Sequence, residues 1–140
     1  MRRFTADYLE HTRRGMWEET AALAPLSLSD RERVLDVGCG TGELTRVLAH
    51  ESPATVVGAD ADLDLLAVAR EESGLPMVGA DATRLPFPDD SFDLVVCQAL
   101  LINLPDPAAA VREFARVSSD LVAAVEPNNA AVEVDSTVDA

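Results

Sequence analysis

Arg33-Val34-Leu35-Asp36-Val37-Gly38-Cys39-Gly40-Thr41-Gly42-Glu43-Leu44 is the stretch whose reading decides the fold. It starts as a short apolar run of strand character, breaks into glycines at alternate positions, and resumes with Leu44, Val47 and Leu48 at helical spacing. A strand, a tight turn and a helix start therefore follow one another directly. Glycine in the turn admits positive φ and lets a ligand come against the main chain with no Cβ in the way. The helix that follows directs its free N–H groups and positive dipole end into the same space. A nucleotide-like ligand is the natural occupant.

Downstream, the pattern alternates. The helix from Glu43 to about His50 ends before Ser52-Pro53, and a second strand, Thr55 to Ala59, finishes on Asp60. Asp62 is placed as N-cap of a helix from Leu63 to about Glu72, closed by Ser73-Gly74. Met77 to Ala80 is a weak third strand ending on Asp81, and Phe92 to Cys97 the strongest strand of the chain. The proline-rich Leu85 to Ser91 lies between them, leaving barely the dozen or so residues that a parallel return requires. Asp106-Pro107 opens a helix to Val117, and Leu121 to Val125 is a fifth strand, ending on Glu126. Upstream, Asp7 to Ala24 carries apolar residues on a roughly helical spacing that Pro25 stops.

Short, continuous apolar strands alternating with helices predict an α/β domain, an open, doubly wound, Rossmann-like sheet with helices on both faces. Ligands bind such sheets outside the carboxyl ends of the strands. Those ends carry Gly38, Asp60, Asp81, Gln98 and Glu126, so one rim gathers the glycine turn and a row of polar groups. The 140 residues are expected to form one domain: an N-terminal helical segment over 1–26, a cofactor-binding core over 33–126 and an irregular tail over 127–140.

Composition narrows the function. There are 25 acidic and 11 basic residues, a net charge of −14, and every basic residue is arginine. Such an excess opposes binding to a phosphate backbone, so nucleic acid is not expected as a partner. Absence of lysine together with scattered carboxylates predicts adaptation to a high-salt cytoplasm, where screening makes the self-repulsion tolerable; a surface for a basic partner is the competing reading. No apolar run is long enough for a membrane helix and the N-terminus has no signal-peptide core, so a cytoplasmic protein is expected. Cys39 and Cys97 lack metal-ligand spacing and read as small buried hydrophobes, and no metal site is expected. His11 and His50 read as solvated, and Asp62, Asp89, Asp90 and Asp106 as caps and turn formers.

Asp36-Val37-Gly38-Cys39-Gly40-Thr41-Gly42 resembles the first motif of the class I S-adenosylmethionine-dependent methyltransferases. Val57 to Asp60, Gly79 to Ala82 and Leu85 to Asp93 resemble, in order, the acidic end of that family's second strand, its adenine-side loop and the segment entering its fourth strand. The resemblance covers residues 33–126 and implies five mainly parallel strands in the order 3-2-1-4-5, without the family's usual sixth and seventh. It implies S-adenosylmethionine as cofactor, with Asp36, Gly38, Cys39, Gly40, Gly42, Asp60, Ala61, Asp81, Ala82 and Gln98 around it. In that scheme the glycines admit the methionine and ribose, and Asp36 helps hold the amino end. Asp60 accepts the ribose hydroxyls, Asp81 accepts from the adenine amine with the Ala82 N–H facing a ring nitrogen, and Gln98 lines the sulfonium end. Asp60 also stands about twenty residues beyond the turn, where nucleotide folds place their ribose acid.

Direct methyl transfer needs alignment and exclusion of water and no dedicated nucleophile, so no catalytic residue is assigned. Cys97-Gln98-Ala99-Leu100-Leu101-Ile102-Asn103 lacks the Asn/Asp-Pro-Pro-aromatic motif of relatives that methylate exocyclic amines, and the small-molecule members resemble it better. Tyr8, Arg13 and Arg14 lie where some relatives close a helix over the cofactor carboxylate, whereas Met16 and Trp17 read as packing. A nicotinamide-linked oxidoreductase is the rival of the same fold, but its G-x-G-x-x-G spacing differs from the even spacing of Gly38, Gly40 and Gly42. A non-catalytic cofactor-binding domain is the rival of another class. Either the chain is a fragment, or a second copy or a partner chain covers the fifth strand, otherwise an exposed edge.

Overall fold

The computed structural model describes residues 3–7, 20–125 and 132–134. The strands are β1 (Arg3–Asp7), β2 (Arg33–Val37), β3 (Thr55–Asp60), β4 (Met77–Gly79), β5 (Phe92–Gln98), β6 (Ser118–Val125) and β7 (Val132–Val134). They form one sheet in the order β4-β3-β2-β5-β6-β1-β7. The central five are all parallel, with Val37 level with both Ala59 and Cys97, and their order is the 3-2-1-4-5 that the resemblance implies.

Three α-helices complete the layers: α1 (Glu43–Glu51), α2 (Leu63–Ser73) and α3 (Pro107–Val117). Each starts and stops where its caps require. Asp62 accepts the N–H groups of Asp64 and Leu65 at the head of α2, and Gly74, left-handed at φ 67°, closes its end. Asp106 accepts the Ala109 N–H ahead of Pro107 in α3. Along β2 the side chains alternate between faces. Val34 packs with Leu44 and Leu48 of α1, whereas Leu35 and Val37 pack with Phe114 and Val117 of α3. Burial of such side chains stabilises by about 1.5–3 kcal/mol each. Cys39 and Met77 lie over Gly58 and join Leu66 and Ala69 of α2, on the α1 side.

No helix links β4 to β5. The Ala80–Ser91 connection crosses the α3 side of the sheet, and Ala82, Leu85 and Phe87 pack into the cluster around Leu35, Val37 and Phe92. The Phe87 and Phe92 rings meet edge to face at 5.0 Å. An irregular segment thus supplies the apolar cover that a crossover helix would otherwise give.

Two strands correct the sequence reading. Arg3–Asp7, expected within a helical segment, pairs in parallel with β6 from Arg3↔Leu121 to Asp7↔Val125, so the fifth core strand is not an edge. Val132–Val134, expected within an irregular tail, pairs antiparallel with β1. Both depend on partners remote in sequence, which local periodicity cannot register. The helix expected from Asp7 to Ala24 falls largely outside the described residues, with Tyr8, His11, Arg13, Arg14, Met16 and Trp17; its end is a 3-10 helix, Thr20–Leu26, that includes Pro25.

Candidate functional site

The glycine turn leaves β2 at the carboxyl rim and is held by the neighbouring strand. The Gly38 and Cys39 N–H groups donate to the Ala59 carbonyl at 2.7 and 3.0 Å, and the Gly42 N–H to the Cys39 carbonyl at 2.9 Å. All three glycines are left-handed: φ is 73° at Gly38, 56° at Gly40 and 88° at Gly42. At Gly38 a side chain is excluded twice, by the backbone and by Leu100, whose Cδ1 lies 2.9 Å from where a Cβ would sit. Gly42 is the N-cap of α1 with no side-chain cap, so the first N–H groups of the helix face the rim without one.

Asp60, the last residue of β3, ties two segments to this turn. Its Oδ2 accepts the Gly40 N–H and its Oδ1 the Asp62 N–H, both at 2.8 Å. Each carboxylate oxygen accepts more than one hydrogen bond, so the group can anchor the turn and still receive a ligand's paired hydroxyls. Ala61 beside it is exposed. Asp36 is 1 % exposed beneath the turn, where its Oδ2 accepts the Thr45 hydroxyl of α1 at 2.8 Å.

Asp81 follows β4 on the same rim, next to Asp60 through the Ala80 N–H to Asp60 carbonyl bond of 3.0 Å. Its Oδ1 accepts both the N–H and the hydroxyl of Thr83, at 2.8 and 2.7 Å, and these bonds, the hydroxyl foremost, hold its carboxyl below the usual range. Asp81 therefore starts a turn while remaining exposed and ionised. Ala82 is buried behind it. On the other side of β2, Gln98 ends β5, buried and level with Val125 of β6. Ala99, left-handed at φ 51°, then turns the chain so that Leu100 covers Gly38.

The sequence-selected residues thus fall along one rim in the order Asp81, Asp60, glycine turn, Gln98. Cys39 takes part through its backbone, because its side chain is buried beside Met77, Sγ to Sδ 3.8 Å. Burial, with the Asp36 and Asp60 carboxylates adding to it, pushes the Cys39 thiol up to about 12. Thr45, Thr83 and Leu100, which support the site, carry no motif signal; the i,i+3 spacing of Glu113 and Arg116 hints only at a local ion pair. Among the described residues there is no cluster suited to a metal ion and no helix long and apolar enough to cross a membrane.

Comparison with known proteins agrees with this geometry. Residues 35–120 match the profile of the methyltransferase domain family. The chain is 33 % identical over 134 residues to methyltransferase GfsG of Streptomyces halstedii, covering 80 % of this chain and 48 % of that protein. It is 42 % identical over 95 residues to demethylmenaquinone methyltransferase of Mycobacterium sp. strain KMS, covering 68 % and 40 %. Among solved structures it resembles an S-adenosylmethionine-dependent methyltransferase from Mesorhizobium loti, with a TM-score of 0.61 and 28 % identity over 73 % of this chain and 50 % of that one. The chain spans about half the length of the relatives it matches.

Proposed function

The chain belongs to the class I S-adenosylmethionine-dependent methyltransferase family, and from that membership we propose that its rim binds S-adenosylmethionine for transfer of the methyl group to a small-molecule acceptor. The observation that carries the reading is the rim itself, where the glycine turn, Asp60 and Asp81 stand side by side at the carboxyl ends of β2, β3 and β4, with Asp60 bonded to the Gly40 N–H. The even spacing of Gly38, Gly40 and Gly42, unlike the G-x-G-x-x-G of nicotinamide-binding folds, favours the sulfonium cofactor over a dinucleotide. The donor set fits as well. Asp60 suits the two ribose hydroxyls and Asp81 the adenine amine, with the Ala82 N–H facing a ring nitrogen, and the left-handed backbone of Gly38, Gly40 and Gly42 shapes the turn that the methionine portion would meet.

The cofactor supplies an electrophilic methyl on a cationic sulfur, open to in-line displacement by the acceptor. The protein's part is alignment and dryness. Asp60 fixes the turn through Gly40 and the entry to α2 through Asp62, and so would hold the residues that meet the ribose and those that meet the methionine portion in one arrangement. Asp36, held by Thr45, is the buried carboxyl beneath the turn that would help hold the amino end. Gln98 and Leu100 border the sulfur end, and Leu100, Leu101 and the exposed Ile102 give an apolar edge suited to an acceptor with a hydrocarbon body. A relative named for demethylmenaquinone supports that class of acceptor.

Incubation with methyl-labelled S-adenosylmethionine and a panel of quinols and phenols tests this reading. Label in an acceptor is expected. The half-length match to relatives favours one other reading, a cofactor-binding portion that needs further chain or a partner to hold the acceptor. Tight binding of S-adenosylhomocysteine with no labelled acceptor would select it, and failure to bind S-adenosylhomocysteine would overturn both.

A further inference from the structure

The geometry points to Glu113 and Arg116 of α3 as positioning residues that lock the irregular β4–β5 connection, and through it fix Asp81 and Ala82 for recognition of the purine amine. The inference rests on the cofactor reading above and concerns how one end of that site is held.

The connection has no hydrogen-bond ladder of its own, so its conformation must be imposed from outside. Arg116 imposes it with three of its five donors. Nη2 donates to the Leu85 carbonyl at 2.9 Å, and Nη1 to the Phe87 carbonyl at 2.8 Å and to Asp89 at 2.9 Å. Glu113 braces the guanidinium through Nε at 2.7 Å and Nη2 at 3.0 Å, and its Oε1 accepts the Leu85 N–H at 2.8 Å. The Arg116 carbonyl accepts the Asp90 N–H at 2.9 Å, where Asp90 is left-handed at φ 56°. Both backbone groups of Leu85, the Phe87 carbonyl and the Asp89 carboxylate therefore end on two side chains one helical turn apart, and the Asp90 N–H on the Arg116 carbonyl.

Leu85 directly follows the turn that Asp81 heads. The Arg84 N–H donates to the Asp81 carbonyl at 2.9 Å, and Thr83 caps the Asp81 carboxylate. The clamp thus holds one end of a four-residue turn whose other end is tied to Asp60 through Ala80. A lysine cannot reproduce it, because a single ammonium does not present the planar fork that reaches two carbonyls and a carboxylate together.

The test compares binding of S-adenosylhomocysteine with that of its inosine analogue, which lacks the purine amine, in wild type, Arg116→Gln, Arg116→Lys, Glu113→Gln and Asp106→Ala. Asp106→Ala weakens the same helix at its cap without touching the clamp. Wild type is expected to prefer the adenosine compound about tenfold or more, in line with one well-placed charge-assisted bond. In both Arg116 variants that preference should fall to within about threefold, mainly by loss of adenosine affinity, whereas Asp106→Ala should keep it. Amide exchange at Leu85 and Asp90 should quicken in Arg116→Gln while Val95 and Val96 stay protected. Should Arg116→Gln fail to fold, Glu113→Gln carries the same expectation. An undiminished preference in the folded clamp variants, or an equal loss in Asp106→Ala, overturns the clamp and leaves the cofactor assignment standing. A wild type that binds neither compound overturns the cofactor assignment, and the clamp's role with it.

Discussion

Asp60→Asn keeps the outline of the side chain and removes what the site uses. Both oxygens of Asp60 accept a backbone N–H, so an amide nitrogen must face one donor, from Gly40 or from Asp62. The expected result is a loss of about 1–3 kcal/mol in stability, read by urea unfolding, and at least about tenfold in S-adenosylhomocysteine affinity. Gly38→Ala and Gly74→Ala separate strain from crowding. Both positions are left-handed, but a Cβ at Gly38 meets Leu100 whereas at Gly74 nothing lies within 4 Å. Gly74→Ala should cost about 1 kcal/mol and leave ligand binding intact, and Gly38→Ala should cost more and abolish it. Acid sensitivity belongs at this scale too. Glu113 is held below its ordinary 4.5, chiefly by Arg116, and Asp81 below 3.8, chiefly by the Thr83 hydroxyl. Lowered values mean that both groups stabilise the folded form above their unfolded values and lose that contribution as pH falls through the folded ones. Stability should therefore be level down to about pH 5 and decline below about pH 4, and Glu113→Gln should flatten part of that decline.

At the scale of elements, what is local in cause was legible. Asp62, Gly74 and Asp106-Pro107 mark helix ends because capping involves groups within a few residues of one another, and the structure places α2 and α3 where those signals fall. Asp106→Ala should lower stability by about 1 kcal/mol, measured as a shift of the thermal midpoint. Val34 to Val37, Thr55 to Asp60 and Phe92 to Cys97 were legible as buried strands because both their faces are apolar. Arg3–Asp7 and Val132–Val134 were not, since a five-residue and a three-residue strand are defined by pairing with Leu121–Val125 and with each other. Half the candidate site could be read the same way. The glycines, Asp60 and Asp81 announce themselves by type and spacing, whereas Leu100 against Gly38 and Arg116 on Leu85 and Phe87 arise from packing across the sheet.

At the scale of the whole molecule, charge and cofactor chemistry point the same way. A net charge of −14 with no lysine repels polyanions and, by self-repulsion, loosens the fold in dilute buffer. The unfolding midpoint should rise steadily from about 0.1 M toward molar KCl, as the screening length shrinks from about 10 to 3 Å; a midpoint that does not rise contradicts adaptation to salt. The glycine turn, Asp60 and Asp81 lie on neighbouring strand ends of one parallel sheet, and the proposed S-adenosylmethionine site is built on them. The most direct test is calorimetric titration, in high salt, of wild type and Asp60→Ala with S-adenosylmethionine, S-adenosylhomocysteine and NAD. Binding of the two sulfur nucleosides and not of NAD, weakened by at least about tenfold in Asp60→Ala, is the predicted result; binding of NAD alone, or equal affinity in both proteins, would contradict the assignment.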